Sequence, residues 1–254
     1  MIRALRTAWR LLRAVVHALH GLAIVLLRFP SLDAARRHPY IQWWAIKTLR
    51  MMGIALQVEG APHVGGTLLV ANHISWLDIM AVHAVCPQAR FVSKADVRSW
   101  PLLSKLVDSA GTLYLERERK RDALRVVHTM AQALAAGETV AVFPEGTTSD
   151  GRALLPFHAN LLQAAISTST PIQPVALRFS DAHGAVSAAV EFVGDTTLLQ
   201  SLWRVAAGDG VVARIRLLPP LPSAGADRRV LAESLRGRIG AALAQASARP
   251  PQAD

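Results

Sequence analysis

The sequence of 254 residues predicts an α/β fold, in which helices flank a central sheet that is largely parallel or mixed. From residue 58 onward, short apolar runs alternate with longer amphipathic stretches, which is the pattern of strands connected by helices. A sizeable core is expected, because 52% of the residues are hydrophobic and only 18% are charged. This composition excludes a disordered chain, and the single cysteine, Cys86, excludes a disulfide scaffold and a thiolate zinc site.

The predicted elements follow one another at short intervals along residues 58–246, which we expect to form one domain. Strands are predicted at residues 67–71, 90–93, 112–115, 139–143, 172–179, 186–193 and 212–218. Helices are predicted at residues 75–85, 100–107, 119–136, 157–167 and 227–246. The helix at 119–136 has the clearest apolar face, and Gly137 follows it as a stop signal. Residues 247–254 are rich in Ala and Pro and are predicted to form a frayed tail.

The net charge of +10 is concentrated at the amino terminus. Residues 1–60 hold nine Lys or Arg against two acidic residues, whereas the other 194 residues carry a net charge of only +3. Nucleic-acid binding is disfavoured, because it needs a basic face on the folded body. The cationic segment is also the most apolar one, a combination typical of proteins that bind an anionic membrane surface.

Residues 1–57 are predicted to form two membrane-associated helices. The uncharged run at 14–27 has 14 residues, which is short for a spanning helix of about 20. The second stretch, at 39–56, places Trp43 and Trp44 near Lys47, and such residues suit the level of the lipid headgroups. One true membrane span, or two core helices of a soluble protein, remain as alternatives.

A histidine and a carboxylate follow the strand at 67–71, at the carboxyl end where ligands of open α/β sheets collect. The segment reads Asn72-His73-Ile74-Ser75-Trp76-Leu77-Asp78. Across such a strand-to-helix turn, the Asp78 carboxylate can fix the tautomer of His73 and leave the other ring nitrogen as a general base. In the simpler alternative, Ser75-x-x-Asp78 caps the helix and His73 is an ordinary loop histidine.

The loop after the strand at 139–143 is rich in Gly, Thr and Ser up to Gly151. Backbone N–H groups in such a loop can hold an anion or a polar head, although the same residue types also form ordinary turns. Glu145 is unusual there, because a carboxylate beside an anion site must itself be paired. Lys94 and Arg117 follow the two neighbouring strands as candidate cations, or as solvated surface charges.

Taken together, these segments resemble the motif blocks of the glycerolipid acyltransferases, the 1-acyl-glycerol-3-phosphate acyltransferase-like enzymes. The blocks are Asn72-His73-(four residues)-Asp78, Phe91-Val-Ser-Lys94, Gly111-Thr-Leu-Tyr-Leu-Glu-Arg117, Phe143-Pro-Glu-Gly-Thr147 and Pro171-Ile-Gln-Pro-Val175. The resemblance covers residues 58–180 and implies transfer of an acyl group from acyl-CoA or acyl carrier protein to the hydroxyl of a lysolipid. It also implies a membrane-bound amino terminus, at the cytoplasmic face of the bacterial inner membrane.

The resemblance further implies a role for each site residue. His73 takes the proton from the acceptor hydroxyl, and Asp78 orients His73 and supports its charge. Acceptor binding is assigned to Lys94, Arg117, Glu145, Gly146, Thr147 and Thr148. Attack on the thioester is direct, and the sequence has no serine or cysteine in a nucleophile-elbow setting. No cofactor and no metal ion are expected, since the histidines lack the spacing that builds a metal site on one helix.

Thr148 departs from the family pattern, in which phosphate-acceptor members usually have an arginine after Glu-Gly-Thr. The loop at 145–151 is more similar to the branch that includes lyso-ornithine lipid acyltransferases. The acceptor is therefore open between 1-acyl-glycerol-3-phosphate and lyso-ornithine lipid or another atypical lysolipid. Two other functions also stay open, namely an acyl-thioester hydrolase that uses water and a non-catalytic peripheral membrane protein.

Overall fold

The computed structural model describes residues 2–94, 101–115 and 120–247, in which we find seven β-strands and eight α-helices. The strands are β1 (Ile54–Glu59), β2 (Thr67–Ala71), β3 (Arg90–Lys94), β4 (Leu113–Leu115), β5 (Thr139–Val142), β6 (Ile172–Ser180) and β7 (Val211–Leu217). The helices are α1 (Ile2–Leu27), α2 (Ala34–Met51), α3 (Leu77–Val85), α4 (Pro101–Ser109), α5 (Lys120–Ala135), α6 (Gln163–Thr168), α7 (Leu198–Ala207) and α8 (Arg228–Ser247).

The strands form one mixed sheet in the order β1-β7-β6-β2-β5-β3-β4. β2 lies at the centre and pairs parallel with β5 and β6, and β3 pairs parallel with β5 and β4. β7 runs antiparallel to β6 and parallel to β1. Every residue of β2, β5 and β6 is buried, as expected for strands covered on both faces. The predicted α/β class with a largely parallel or mixed sheet is confirmed.

Helices cover both faces of the sheet. On one face, an apolar cluster that includes Met130, Leu162 and Leu235 joins the sheet to its helices. On the other face, Leu77 of α3 and Val205 of α7 belong to a second cluster. Because β2, β5, β3 and β4 all run in the same direction, their carboxyl ends lie along one edge of the sheet.

Helices α1 and α2 form a hairpin that crosses at Gly21. The indole of Trp44 lies against this glycine so closely that a Cβ there would be 2.4 Å from the indole Nε1. One helical turn earlier on α1, Nε2 of His17 lies 3.1 Å from the carbonyl oxygen of Trp44. The imidazole of His17 also stacks on the indole of Trp44. The absence of a side chain at Gly21 therefore permits the close packing of the hairpin.

Helix α1 is also fixed to the body of the protein. The guanidinium of Arg10 donates to the carbonyl oxygens of Ala206 and Gly208 at the end of α7, and Arg6 forms a 2.9 Å ion pair with Asp209. In the described part of the chain, one helical region, Ile2–Ser31, is long and apolar enough to cross a membrane by length and composition. Only 11% of its most apolar window is buried, so this amino-terminal helix is consistent with membrane association.

Several element predictions are wrong. The strand predicted at 186–193 is an irregular segment with one turn, because Val190 packs in the cluster with Val205 of α7 instead of joining the sheet. The second amino-terminal helix, predicted at 39–56, ends at Met51, and β1 then starts at Ile54 and spans the predicted boundary after residue 57. Neither β1 nor α7 was predicted. The helix predicted at 157–167 is divided into a 3₁₀ turn and the short α6.

Candidate active site

The loop after β2 starts from a rigid point in the sheet. Asn72 is buried, and its side-chain amide donates to the carbonyl oxygen of Leu177 in β6 at 2.9 Å. Its amide oxygen accepts from the Leu177 N–H at 2.8 Å. Asn72 thus replaces the next rung of the β2–β6 ladder and sets the position from which the following residue, His73, leaves the sheet.

His73 and Asp78 form a hydrogen-bonded pair. Nδ1 of His73 lies 2.8 Å from Oδ2 of Asp78, whose side chain is 0% exposed, whereas the imidazole is 19% exposed. The same oxygen accepts from the N–H groups of Ile74 at 2.6 Å and Ser75 at 2.9 Å. Asp78 was predicted either to orient His73 or to cap the helix. Its carboxylate does both, because it binds the imidazole and the turn before α3. Because a carboxylate only accepts, the proton sits on Nδ1 and Nε2 is left with the lone pair of a base.

Two aromatic rings support the imidazole. Phe143, at the end of β5, stacks on His73 with the ring centroids 3.9 Å apart and an interplanar angle of 7°. Phe91 of β3 in turn stacks on Phe143, with centroids 5.5 Å apart. This stack and the bond to Asp78 fix the plane of the imidazole from two directions.

Glu145 binds the backbone of the site. The residue is buried, with 3% of its surface exposed. Oε1 accepts a hydrogen bond from the His73 N–H at 2.7 Å, and Oε2 accepts one from the Leu155 N–H at 2.9 Å. Burial raises the pKa of Glu145, and the two hydrogen bonds oppose this rise. The carboxylate is paired, as the sequence required, but both of its oxygens are occupied by backbone amides of this chain.

The carbonyl group of His73 is held as well, by a residue that the sequence did not single out. Ser149 donates to it through its backbone N–H at 2.8 Å and through its hydroxyl at 3.2 Å. His73 is therefore bound at both of its main-chain polar groups by the loop after β5. The only sequence signal for Ser149 is its place in the loop of small hydroxyl residues.

Four of the other predicted acceptor-binding residues follow or end strands β5 and β3, along the same edge of the sheet. Gly146 has a φ of +70°, a conformation that favours glycine, and Thr147 is exposed beside it. The hydroxyl of Thr148 donates to the carbonyl oxygen of Phe192, so this side chain ties its loop to residues before α7. Lys94 is the last residue of β3. Arg117 lies outside the described residues.

An apolar cavity of about 480 Å³ lies between the α1–α2 hairpin and the body of the protein. Both His73 and Thr148 line it, together with Trp44 of α2, Trp76 in the turn before α3 and Leu202 of α7. This volume falls in the range of about 300–1,000 Å³ that small-molecule sites occupy. The arrangement places a general-base candidate beside a space that accepts a long apolar group.

Within residues 2–94, 101–115 and 120–247, no group of three or more His, Cys, Asp or Glu is arranged to hold a metal ion. Cys86 is buried, and burial raises its pKa to about 12, so its thiol is a poor nucleophile at neutral pH.

Comparisons with known proteins point to one family. A sequence model described as Acyltransferase matches residues 55–178. The chain is 36% identical to the lyso-ornithine lipid O-acyltransferase of Pseudomonas aeruginosa, over 95% of this chain and 94% of that protein. It is also 36% identical to the 1-acyl-sn-glycerol-3-phosphate acyltransferase of Neisseria meningitidis, over 77% of each chain.

Among solved structures, the crystal structure of the 1-acyl-sn-glycerophosphate acyltransferase PlsC from Thermotoga maritima is similar over 98% of both chains. The TM-score is 0.76 at 20% sequence identity, a likeness that concerns the fold.

Proposed function

The chain belongs to the acyltransferase family, and we propose that it is a lysolipid O-acyltransferase that acts in membrane lipid synthesis. It would transfer a fatty acyl group from a thioester donor to the hydroxyl of the lysolipid. The observation that carries this proposal is the His73–Asp78 pair, 2.8 Å apart, at the wall of an apolar cavity. Because β1 starts at Ile54, we take residues 54–246 as the acyltransferase domain, residues 1–53 as its membrane-associated segment and residues 247–254 as a tail.

In the proposed reaction, Nε2 of His73 takes the proton of the acceptor hydroxyl as the hydroxyl oxygen attacks the thioester carbonyl carbon. Asp78, bonded to Nδ1, stabilises the imidazolium that forms. When the tetrahedral intermediate collapses, the C–S bond breaks and the thiol leaves with the proton that His73 returns. The acyl group passes directly to the acceptor, without an acyl-enzyme.

We propose separate roles for the residues around this pair. Glu145 is better suited to positioning than to acceptor contact, because both carboxylate oxygens already accept backbone N–H groups. The proposed acceptor-binding residues are Gly146, Thr147 and Thr148, with Lys94 and Arg117 for a negative head group.

For the acceptor we favour lyso-ornithine lipid. Position 148 lines the cavity, and a threonine there lacks the bidentate phosphate contact of a guanidinium. The Pseudomonas aeruginosa enzyme, named for lyso-ornithine lipid, also matches this chain nearly from end to end. The second candidate is 1-acyl-glycerol-3-phosphate, supported by the equal identity to the Neisseria meningitidis enzyme named for that acceptor.

We propose acyl-CoA or acyl carrier protein as the donor, and the cytoplasmic face of a bacterial inner membrane as the place of action. A thioester hydrolase with the same His73 is the rival function, and it differs in needing no lysolipid.

The test uses the purified full-length protein in mixed micelles, with each donor combined in turn with each of the two lysolipids. Free thiol and diacylated lipid are measured in the same reaction, with His73→Ala as the control. We expect thiol release that requires a lysolipid and equals the product formed. Thiol release without lysolipid would indicate a hydrolase, and no transfer to either acceptor would refute the proposal.

A further inference from the structure

Helix α7 presents large apolar side chains to solvent. Leu199 is 75% exposed and Trp203 is 54% exposed, and their spacing of four residues puts them on one face of the helix. Arg204 is exposed beside them. Isolated exposed apolar residues are common on soluble proteins, so this pair alone does not indicate a binding site. The indication comes from the surface next to it.

That neighbouring surface belongs to α1, which packs against α7. Arg6 pairs with Asp209, just beyond α7, and Arg10 donates to the carbonyl oxygens of Ala206 and Gly208. The first turns of α1 therefore lie beside the carboxyl end of α7.

Their inner faces share one apolar cluster, in which Leu11 of α1 lies with Leu202 and Val205 of α7. Because these faces point into the same cluster, the outer faces point away from it together. On α1 the outer face carries Trp9, Leu12 and Val16, all more than half exposed. Leu199 and Trp203 thus extend the exposed apolar surface of α1.

The charge around this surface favours one occupant. No acidic residue precedes Asp33 in the sequence, whereas Arg13 of α1 and Arg204 of α7 are both exposed. Of the two acidic residues that flank α7 most closely, Asp209 is paired with Arg6, and Asp195 is exposed before the helix starts. An apolar surface that contains Trp and is flanked by Arg matches the interface of an anionic lipid bilayer, where tryptophan lies at headgroup level and arginine extends to the phosphates.

We propose that the outer face of α7, with Leu199 and Trp203 at its centre, binds the lipid bilayer together with α1. This inference rests on the proposed membrane function, and it adds a second contact that fixes the orientation of the protein. Two parallel contacts place α1 in the plane of the membrane, since a membrane-spanning α1 would lose its bonds to the end of α7. The cavity beside His73, which Leu198 and Leu202 of α7 also line, then lies directly above the lipid.

The test uses single-cysteine variants of the full-length protein in a Cys86→Ala background, each labelled with an environment-sensitive fluorophore. Leu199→Cys reports on α7, Leu12→Cys on α1, and Val230→Cys is the matched control, because Val230 is 70% exposed but lies on α8. Labelled proteins are mixed with vesicles of phosphatidylethanolamine and phosphatidylglycerol, with and without nitroxide-bearing lipid.

We expect a blue shift and nitroxide quenching at positions 12 and 199, and neither at position 230. Quenching at 12 but not at 199 would overturn the proposal for α7 and leave membrane association intact. No quenching at either position would mean that membrane association itself fails. A response at 199 that requires added acyl carrier protein instead of vesicles would identify a protein-docking face and also overturn the proposal.

A second measurement does not depend on labels. Replacing Leu199 and Trp203 together by glutamate should weaken vesicle binding roughly tenfold or more, because two apolar anchors are lost and two negative charges face anionic lipid. The control variant Val230→Glu should bind vesicles as the parent protein does. Equal binding of all three proteins would contradict the proposal.

Discussion

Replacing Glu145 by glutamine separates a positioning role from an acceptor-binding role at this residue. The substitution keeps the size of the side chain but turns one acceptor oxygen into an NH₂ group, which cannot accept from a backbone N–H. In the structure, the two carboxylate oxygens accept from His73 and Leu155. One of these two partly buried amides must therefore lose its partner in Glu145→Gln.

The expected cost follows from that unmet donor. A buried polar group without a partner costs about 1–3 kcal/mol, and the free energy of unfolding should fall by this amount. The backbone of His73 is also released on its N–H side, although Ser149 still holds its carbonyl group. A displacement of about 1 Å at a catalytic group can cost about 10²-fold in rate, so we expect kcat to fall between roughly ten- and a hundredfold with little change in KM for the lysolipid.

The stability difference between wild type and Glu145→Gln should depend on pH. Burial raises the pKa of Glu145 in the folded protein, so the folded state holds the proton more tightly than the unfolded chain, whose carboxyl pKa is about 4.3. The stabilising contribution of this proton is complete below pH 4.3 and is lost as pH rises through the folded pKa. Glutamine does not titrate, so the difference in the free energy of unfolding between wild type and Glu145→Gln should decrease from acidic to neutral pH.

The assay combines denaturant unfolding in detergent micelles at several pH values with steady-state kinetics on a lysolipid. Glu233→Gln is the control, because Glu233 is exposed on α8 and lies 4.0 Å from its nearest ion-pair partner, Arg236. A raised KM for the lysolipid with an unchanged free energy of unfolding would refute the positioning role. That result would return Glu145 to the acceptor, as the family resemblance implies.

Three further predictions concern the catalytic pair, the hairpin and the head group. His73→Ala should lower kcat by about 10²–10⁴-fold with an unchanged circular dichroism spectrum. Asp78→Asn should lower both kcat and Tm, because the oxygen that binds His73 also holds the turn before α3. Wild-type turnover in either variant would contradict the assignment. Gly21→Val should lower Tm, because the valine side chain would overlap the Trp44 indole. The control is Gly237→Val, at a helical glycine with open space around it. Equal Tm values for the two variants would show that the hairpin does not pack as described. Thr148→Arg should lower kcat/KM on lyso-ornithine lipid, since a guanidinium repels the ammonium of that acceptor; a gain on 1-acyl-glycerol-3-phosphate, with wild type already preferring it, would defeat our choice of acceptor. Thr148→Val, which loses only the hydrogen bond to Phe192, separates the effect of charge from that of loop structure.

The strands and loops that carry the site could be predicted because they lie in the most regular part of the sequence. β2 and β5 are continuous apolar runs that end in polar motifs, so the order of strand, His73 and Asp78 follows from the sequence. The elements that escaped prediction lie farther from this centre. β1 is exposed along much of its length, and its only apolar run, at residues 54–56, continues the apolar stretch at 39–56 that was predicted as a helix. For α7 the sequence did carry a signal, because Thr197 and Gln200 have the spacing of a capping box.

The partners of individual side chains could not be predicted, because they come from distant parts of the chain. Asn72 binds a strand 105 residues away, and Ser149 binds a carbonyl 76 residues away. No local spacing encodes such contacts. For the same reason, the sequence suggested that Glu145 needs a partner but could not reveal that its partners are backbone amides.

The α1–α2 hairpin is at once the segment that we propose to lie on the membrane and one wall of the cavity beside His73. A fragment without residues 1–57 would therefore be an open half-site, with the apolar linings of α3 and α7 in contact with water, and it would not report on the kinetics of the whole enzyme. The inner side of α1 also serves two purposes, because it lines the cavity and packs on the body. We therefore expect a substitution there to change the acyl-chain range of the enzyme and its stability together.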